Sequence, residues 1–309
     1  MEHMKTSSFA TLQQKHTKTP SGSTICSYSN DLGDGPVLVL IHGYPQSAYL
    51  WRHIIPHVRE KISLFVPELP GYGISTPIPP HGRRQVASAL LEAMTELFGS
   101  SRKFILCGHD RGGRISHRIA VDGHPNLLGI IVLDIVPTLE QWRAFSNPAA
   151  AVGYFHWPFL AHKEAPDMIE AYGGDRWCRD ALIRIQGTNE KGIELCRSDG
   201  AHELYCELFK KREAIVGSCE DYTSAAMPEC KDQEEDMAKG KKITVPTLAI
   251  YSADLLGKRH DVPGLWRKWV QDDVEMRAVG ISDGHGHYLP EGAAEDCTKL
   301  ILEWIEKLT

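Results

Sequence analysis

The stretch Phe104-Ile105-Leu106-Cys107-Gly108-His109-Asp110-Arg111-Gly112-Gly113-Arg114 decides the reading of this chain. Four apolar residues predict a buried strand, and a helical pattern resumes at Arg114 and runs to Asp122. Between them Gly108-His109-Asp110-Arg111-Gly112 sets a small residue two positions on either side of Asp110. Small residues at those places permit a strained strand-to-helix turn that projects the central side chain.

The same style of strand recurs along the chain. Val37–Ile41, Ser63–Val66 and Leu128–Leu133 are apolar runs bounded by Gly or Pro, Thr247–Tyr251 follows more than a hundred residues later, and Val274–Val279 alternates more. Short apolar runs of this kind suit a sheet covered on both faces. Helical patterns fall between them, over Arg84–Phe98, Arg114–Asp122, Gly264–Val270 and Ala293–Leu308. Strand and helix in alternation predict a parallel α/β sheet. Residues 138–240 break the alternation and predict a helical insertion, giving a core in two parts, 1–137 and 241–309. The acidic then basic run Asp232–Lys242 reads as a solvated linker.

The 309 residues are 42% apolar and 24% charged, with a net charge of −6, which is ordinary globular composition. A mildly acidic chain gives no reason to expect nucleic-acid or anionic-membrane partners. The polar N-terminus lacks the apolar stretch of a signal peptide, and Met1-Glu2-His3-Met4 reads as a cloning remnant. No apolar run reaches the roughly 20 residues of a membrane span. Eight scattered cysteines without a C-x-x-C pair support neither a zinc site nor a disulfide framework, so a cytoplasmic location is expected. No dinucleotide fingerprint, P-loop or metal motif appears, so no cofactor is implied.

Placed after a strand and before a helix, the turn around Asp110 resembles the nucleophile elbow of the α/β-hydrolase fold family, and the resemblance extends over nearly the whole chain. Ile41-His42-Gly43-Tyr44-Pro45 resembles that family's oxyanion loop, Pro67–Ser75 its D-x-P-G-x-G-x-S turn with Glu68 in first place, and Gly286-His287-Tyr288-Leu289-Pro290-Glu291 its catalytic histidine loop, where His287 is preferred to His285. The resemblance implies a mostly parallel sheet with helices on both faces and an inserted helical cap.

An Asp in the elbow selects the reaction. Its carboxylate can displace a leaving group from sp³ carbon and become an ester, which water then cleaves; the substrate is therefore an alkyl halide or an epoxide. His287 is the expected general base, and the backbone N–H groups of Tyr44 and Arg111 the expected oxyanion donors. For the acid that orients the histidine, position alone leaves Asp134, Asp254 and Asp261 open. Arg111 and Arg114, three residues apart at a helix start, are expected to fork a substrate carboxylate.

His-Asp-Arg-Gly-x-Arg further resembles the fluoroacetate dehalogenase group. That likeness selects Asp134 through Leu133–Thr138, and implies a halide site of His156, Trp157 and Tyr222 through Tyr154–Trp157 and Ser218–Tyr222. Pro158 departs from the group, where an aromatic is more usual. The group's homodimer is carried over as an expectation. The expected activity is hydrolytic dehalogenation of a small anionic 2-haloacid, with inversion at carbon. The alternatives are an epoxide hydrolase and a ligand-binding hydrolase-fold protein without turnover.

Overall fold

A computed structural model describes residues 8–309; the opening Met1–Met4 lies outside the described residues. Eight strands make one sheet: β1 (Gln13–Lys18), β2 (Thr24–Asn30), β3 (Val37–Ile41), β4 (Ser63–Pro67), β5 (Phe104–His109), β6 (Leu127–Leu133), β7 (Thr247–Ser252) and β8 (Met276–Ile281). Their spatial order is β1-β2-β4-β3-β5-β6-β7-β8. Only β1 with β2 and β2 with β4 run antiparallel; every other pair is parallel. This is the α/β-hydrolase fold, a mostly parallel sheet with helices around it. The strands β3, β4 and β5 are buried at every residue, which is why they read as unbroken apolar runs.

The sequence reading passed over β1 and β2. The strand β1, Gln-Gln-Lys-His-Thr-Lys, is an exposed edge with one buried residue, Thr17. A polar edge strand carries no apolar signal and resists pairing with other chains. In β2, Ser27 and Ser29 are buried among apolar neighbours, which obscures the alternation. Elsewhere the expected elements lie within a few residues of the observed ones.

Helices occupy most of the chain from Thr138 to Ala238, between β6 and β7. The expected linker at Asp232–Lys242 is corrected: Pro228–Ala238 is a helix, and Gln233 and Asp236 on it are buried. Asp236 accepts from Arg118 Nη1 at 2.6 Å, and Gln233 Oε1 accepts from Leu139 N at 2.9 Å. Alternating charge hid a buried face whose acid is matched to a core arginine. Among the described residues no helix is long and apolar enough to cross a membrane.

Sheet register positions the site. His109, Leu133 and Ile250 pair across β5, β6 and β7, and Ser252 pairs with Ile281 across β7 and β8. The chain therefore leaves four adjacent strands at one edge, where open parallel sheets place their ligand crevices.

Candidate active site

Asp110 stands one residue past β5 with φ 47° and ψ −114°. A positive φ in a non-glycine residue costs on the order of 1–3 kcal/mol, so the surroundings must enforce it. Flanking glycines make the turn possible. A Cβ on Gly108 would lie 2.3 Å from Gly112 O, and one on Gly112 would lie 2.2 Å from Ile41 O. Gly43 plays a similar part in the facing loop, where a Cβ would meet Asp110 Cβ at 2.5 Å. That close approach brings Tyr44 N within 2.9 Å of Asp110 Oδ2, to which it donates. Arg111 opens the helix Arg111–Asp122, so its amide belongs to the free first turn.

Asp134, one residue past β6, also has positive φ. Its Oδ1 accepts from Ser252 N at 2.7 Å and Ser252 Oγ at 2.6 Å, while Oδ2 accepts from His287 Nδ1 at 2.7 Å. That leaves His287 Nε2 as the free ring nitrogen, 3.9 Å from Asp110 Oδ1. The other two acids lie elsewhere. Asp254 accepts from Gly284 N and pairs with Lys258, and Asp261 caps its own helix through Gly264 N. The His285 backbone bridges to Gly187 and its ring lies against Gly192, so the imidazole beside Asp110 is that of His287. His109, fully buried, donates from Nε2 to His287 O at 2.9 Å and steadies the histidine loop.

Electrostatics sharpen this trio. Burial would raise the Asp110 pKa, yet the His287 charge, then Arg111, His109 and Arg114, hold it below the ordinary carboxylate value. Burial would lower the His287 pKa, but the Asp134 hydrogen bond and charge, with Asp110, leave it above that of a free imidazole. Asp110 is a poised anion beside a base of enhanced affinity for protons.

A cavity of about 40 Å³ lies over Asp110, walled by Tyr44, Arg114, Asp134, His156, Trp157, Tyr222 and His287, with Gln141, Tyr154, Arg184, Leu256 and Tyr288 among its other neighbours. About 10–15 Å³ of such space holds one water, so the cavity suits a molecule of only a few heavy atoms. His156 and Trp157 open one cap helix, His156–Leu160, and meet Tyr222 from another, Arg212–Ala226: the Tyr222 ring centroid is 5.4 Å from Trp157 and 6.1 Å from His156. Burial drives the His156 pKa down to about 3, keeping it neutral, and its Nδ1 has no partner. Burial also holds the Tyr222 phenol well above its ordinary pKa, hence protonated.

The expected pair of forked arginines is only half present. Arg114 lines the cavity, with its guanidinium 4.4 Å from the Trp157 centroid, Nη1 donating to Val136 O at 2.8 Å and more weakly to Thr138 Oγ1 at 3.5 Å, and a buried unpartnered Nε. Burial and the Arg111 charge lower its pKa to about 10. Arg111 does not line the cavity. Its Nε donates to Asp221 Oδ2 at 2.5 Å and its Nη2 to Asp221 O at 2.9 Å, leaving only Nη1 unpartnered. The bidentate face of Arg111 is thus spent on the cap, because Asp221 supplies a buried anion that the spacing of Arg111 and Arg114 alone does not reveal.

Sequence reasoning included Tyr154, Asp221 and Tyr288 in its motifs without giving them a role, and passed over Arg184 and Trp177. Asp221 precedes Tyr222, and an acid beside a pocket aromatic was a usable signal. Trp177 donates from Nε1 to Tyr44 Oη at 2.5 Å, behind the oxyanion loop. Tyr288 donates to Ala181 O at 3.2 Å and ties the histidine loop to the cap.

Residues 36–159 match the model of the alpha/beta hydrolase fold. The Burkholderia sp fluoroacetate dehalogenase is 28% identical over 280 residues, 88% of each chain. The soluble epoxide hydrolase of Corynebacterium sp. strain C12 is 28% identical over 265 residues, 84% of this chain and 86% of its own. Among solved structures, a Nostoc sp PCC 7120 protein provisionally assigned to the alpha/beta hydrolases superposes with a TM-score of 0.84 at 28% identity, covering 96% of this chain and 99% of its own.

Proposed function

We propose that this chain, a hydrolase of the α/β-hydrolase fold with dehalogenases and epoxide hydrolases among its relatives, removes halogen from a small 2-haloacid of the haloacetate type through an aspartyl ester. The observation that carries this is the cavity itself: about 40 Å³, with the Asp110 carboxylate, the Arg114 cation and the hydrogen-bonding side chains of His156, Trp157 and Tyr222 on its wall.

In the first step Asp110 Oδ1 attacks the carbon bearing the halogen from the side opposite the C–X bond. The new C–O bond forms as the halide departs with the bonding pair, inverting the carbon. His156, Trp157 and Tyr222 stabilise the charge gathering on the halide, and neutrality suits them, since each offers an N–H or O–H. Arg114 holds the substrate carboxylate, which Asp110 would otherwise repel.

In the second step His287 Nε2 takes a proton from water, whose oxygen attacks Cγ of the ester. The 3.9 Å between Nε2 and Asp110 Oδ1 is too long for a direct hydrogen bond. Negative charge moves onto Asp110 Oδ2, where Tyr44 N already donates. Asp134 fixes the Nδ1–H tautomer of His287 and stabilises the imidazolium. Collapse releases the hydroxyacid and restores Asp110, now carrying one oxygen from water.

Tyr222 sustains the epoxide reading, because a phenol facing Asp110 can protonate an opening alkoxide. Its elevated pKa favours hydrogen-bond donation over proton transfer, and an epoxide without a carboxylate leaves Arg114 unexplained. A paired assay decides: halide release from fluoroacetate and chloroacetate against diol formation from simple epoxides. The proposal expects halide from at least one haloacid; no halide from either, with ready diol formation, overturns it.

A further inference from the structure

We propose that Arg184 is an anion-gathering residue at the mouth of the cavity, setting the capture of carboxylate substrates without taking part in the chemistry; this rests on the anionic-substrate reading above. Arg184 closes the helix Gly174–Arg184, lines the cavity and is exposed to solvent. It is held in register with the site, since the next residue, Ile185, accepts from His287 N at 2.8 Å. Its guanidinium lies 4.6 Å from the Phe155 ring centroid and 5.8 Å from that of Trp177. Trp177 stands seven positions earlier on the same helix, so the two share a face.

No carboxylate lies within salt-bridge distance of Arg184 among the described residues. The acid one turn before it, Asp180, is within helical reach but accepts from Tyr172 Oη at 2.6 Å instead. Among the other exposed arginines of the described residues, Arg84, Arg143, Arg212 and Arg277 are paired with acids, whereas Arg176, Arg179, Arg197 and Arg259, like Arg184, are not; of these unpaired five, Arg184 is the one that lines the cavity. Stacking on two aromatic rings orients a planar cation without neutralising it. Its field reaches inward, where it contributes to keeping His156 neutral. An unneutralised charge at the entrance of a low-dielectric cleft raises local anion concentration. A stabilising contact with the helix C-terminus is the competing role, and it would register in melting temperature rather than in anion dependence.

The test compares wild type, Arg184→Gln and Arg184→Lys on chloroacetate and on neutral chloroacetamide. Sodium gluconate, an anion too large for the cavity, is varied from ~0.01 M to ~1 M, which shortens the Debye length from ~30 Å to ~3 Å. A unit charge several ångströms from the ligand carboxylate in wet surroundings predicts a three- to tenfold loss, as an order of magnitude, of chloroacetate kcat/KM for Arg184→Gln at low salt. The loss should vanish at high salt, leave kcat unchanged, spare chloroacetamide, and be rescued by Arg184→Lys. Acetate binding, read by tryptophan fluorescence, should lose affinity in parallel. If wild type releases no halide while acetate affinity still depends on Arg184 and on salt, the dehalogenase reading falls and this one stands. If halide is released and Arg184→Gln keeps the wild-type kcat/KM, acetate affinity and salt slope, or if Arg184→Lys behaves like Arg184→Gln, the inference is overturned.

Discussion

Replacing Asp221 by Asn removes one charge from a pair sealed between core and cap. The Asp221 side chain is 4% exposed and that of Arg111 is 0%, with 2.5 Å between them, and Arg83 Nη1 donates to the other carboxylate oxygen at 2.8 Å. Burial alone would raise the Asp221 pKa; Arg111 and Arg83 hold it well below the carboxylate range, so the acid is charged at neutral pH. With both partners out of water, solvent screening takes little away. Breaking a buried pair by removing one partner costs about 3–5 kcal/mol, because the other charge stays buried and uncompensated. At ~2.1 cal/mol/K per residue, 309 residues give an unfolding entropy near ~0.65 kcal/mol/K, so the melting temperature should fall by roughly 5–8 °C. Calorimetry measures it, with Glu220→Gln as control; Glu220 is exposed, and its change should stay within about 0.5 kcal/mol. The freed Arg111 should also compete for Asp110 and slow turnover of haloacids. An Asp221→Asn protein that melts within a degree of wild type would refute the idea that this pair joins cap to core.

Asp134→Asn should slow ester hydrolysis by orders of magnitude, whereas Asp254→Asn should change turnover little; pre-steady-state ester accumulation and steady-state rates check both. Ester hydrolysis needs neutral His287, so its rate, read on the accumulated ester, should fall as pH drops through the His287 pKa, and Asp134→Asn should move that limb to lower pH. The limb should lie below the His287 pKa of the free enzyme, since esterified Asp110 no longer supports the imidazolium. Arg114→Lys keeps charge but loses the planar donor set, so it should raise KM for haloacids while leaving neutral haloalkyl substrates nearly unchanged; equal losses on both would make Arg114 a structural cation.

What could be read beforehand divides along physical lines. The turn at Asp110 was legible because backbone sterics impose Gly108 and Gly112, and β3 to β7 because doubly covered strands must be apolar. The first two strands were not, since an edge strand such as Gln13–Lys18 is chosen for polarity. Nor was the pairing of Arg111 with Asp221: the residues are 110 positions apart, and a helix-start arginine reads the same whether it meets a substrate or a protein carboxylate. Asp232–Lys242 misled for a related reason, because Asp236 is an acid whose buried partner, Arg118, lies in another part of the chain.

One measurement bears on the aspartyl ester most directly: a single turnover of chloroacetate by excess protein in H₂¹⁸O, followed by mass analysis of the peptide carrying Asp110 and of the glycolate released. Water attacking Cγ places the label in the Asp110 carboxylate and leaves the first glycolate unlabelled. Label in glycolate with none in Asp110 would mean that water attacks the substrate carbon itself, and would contradict the account.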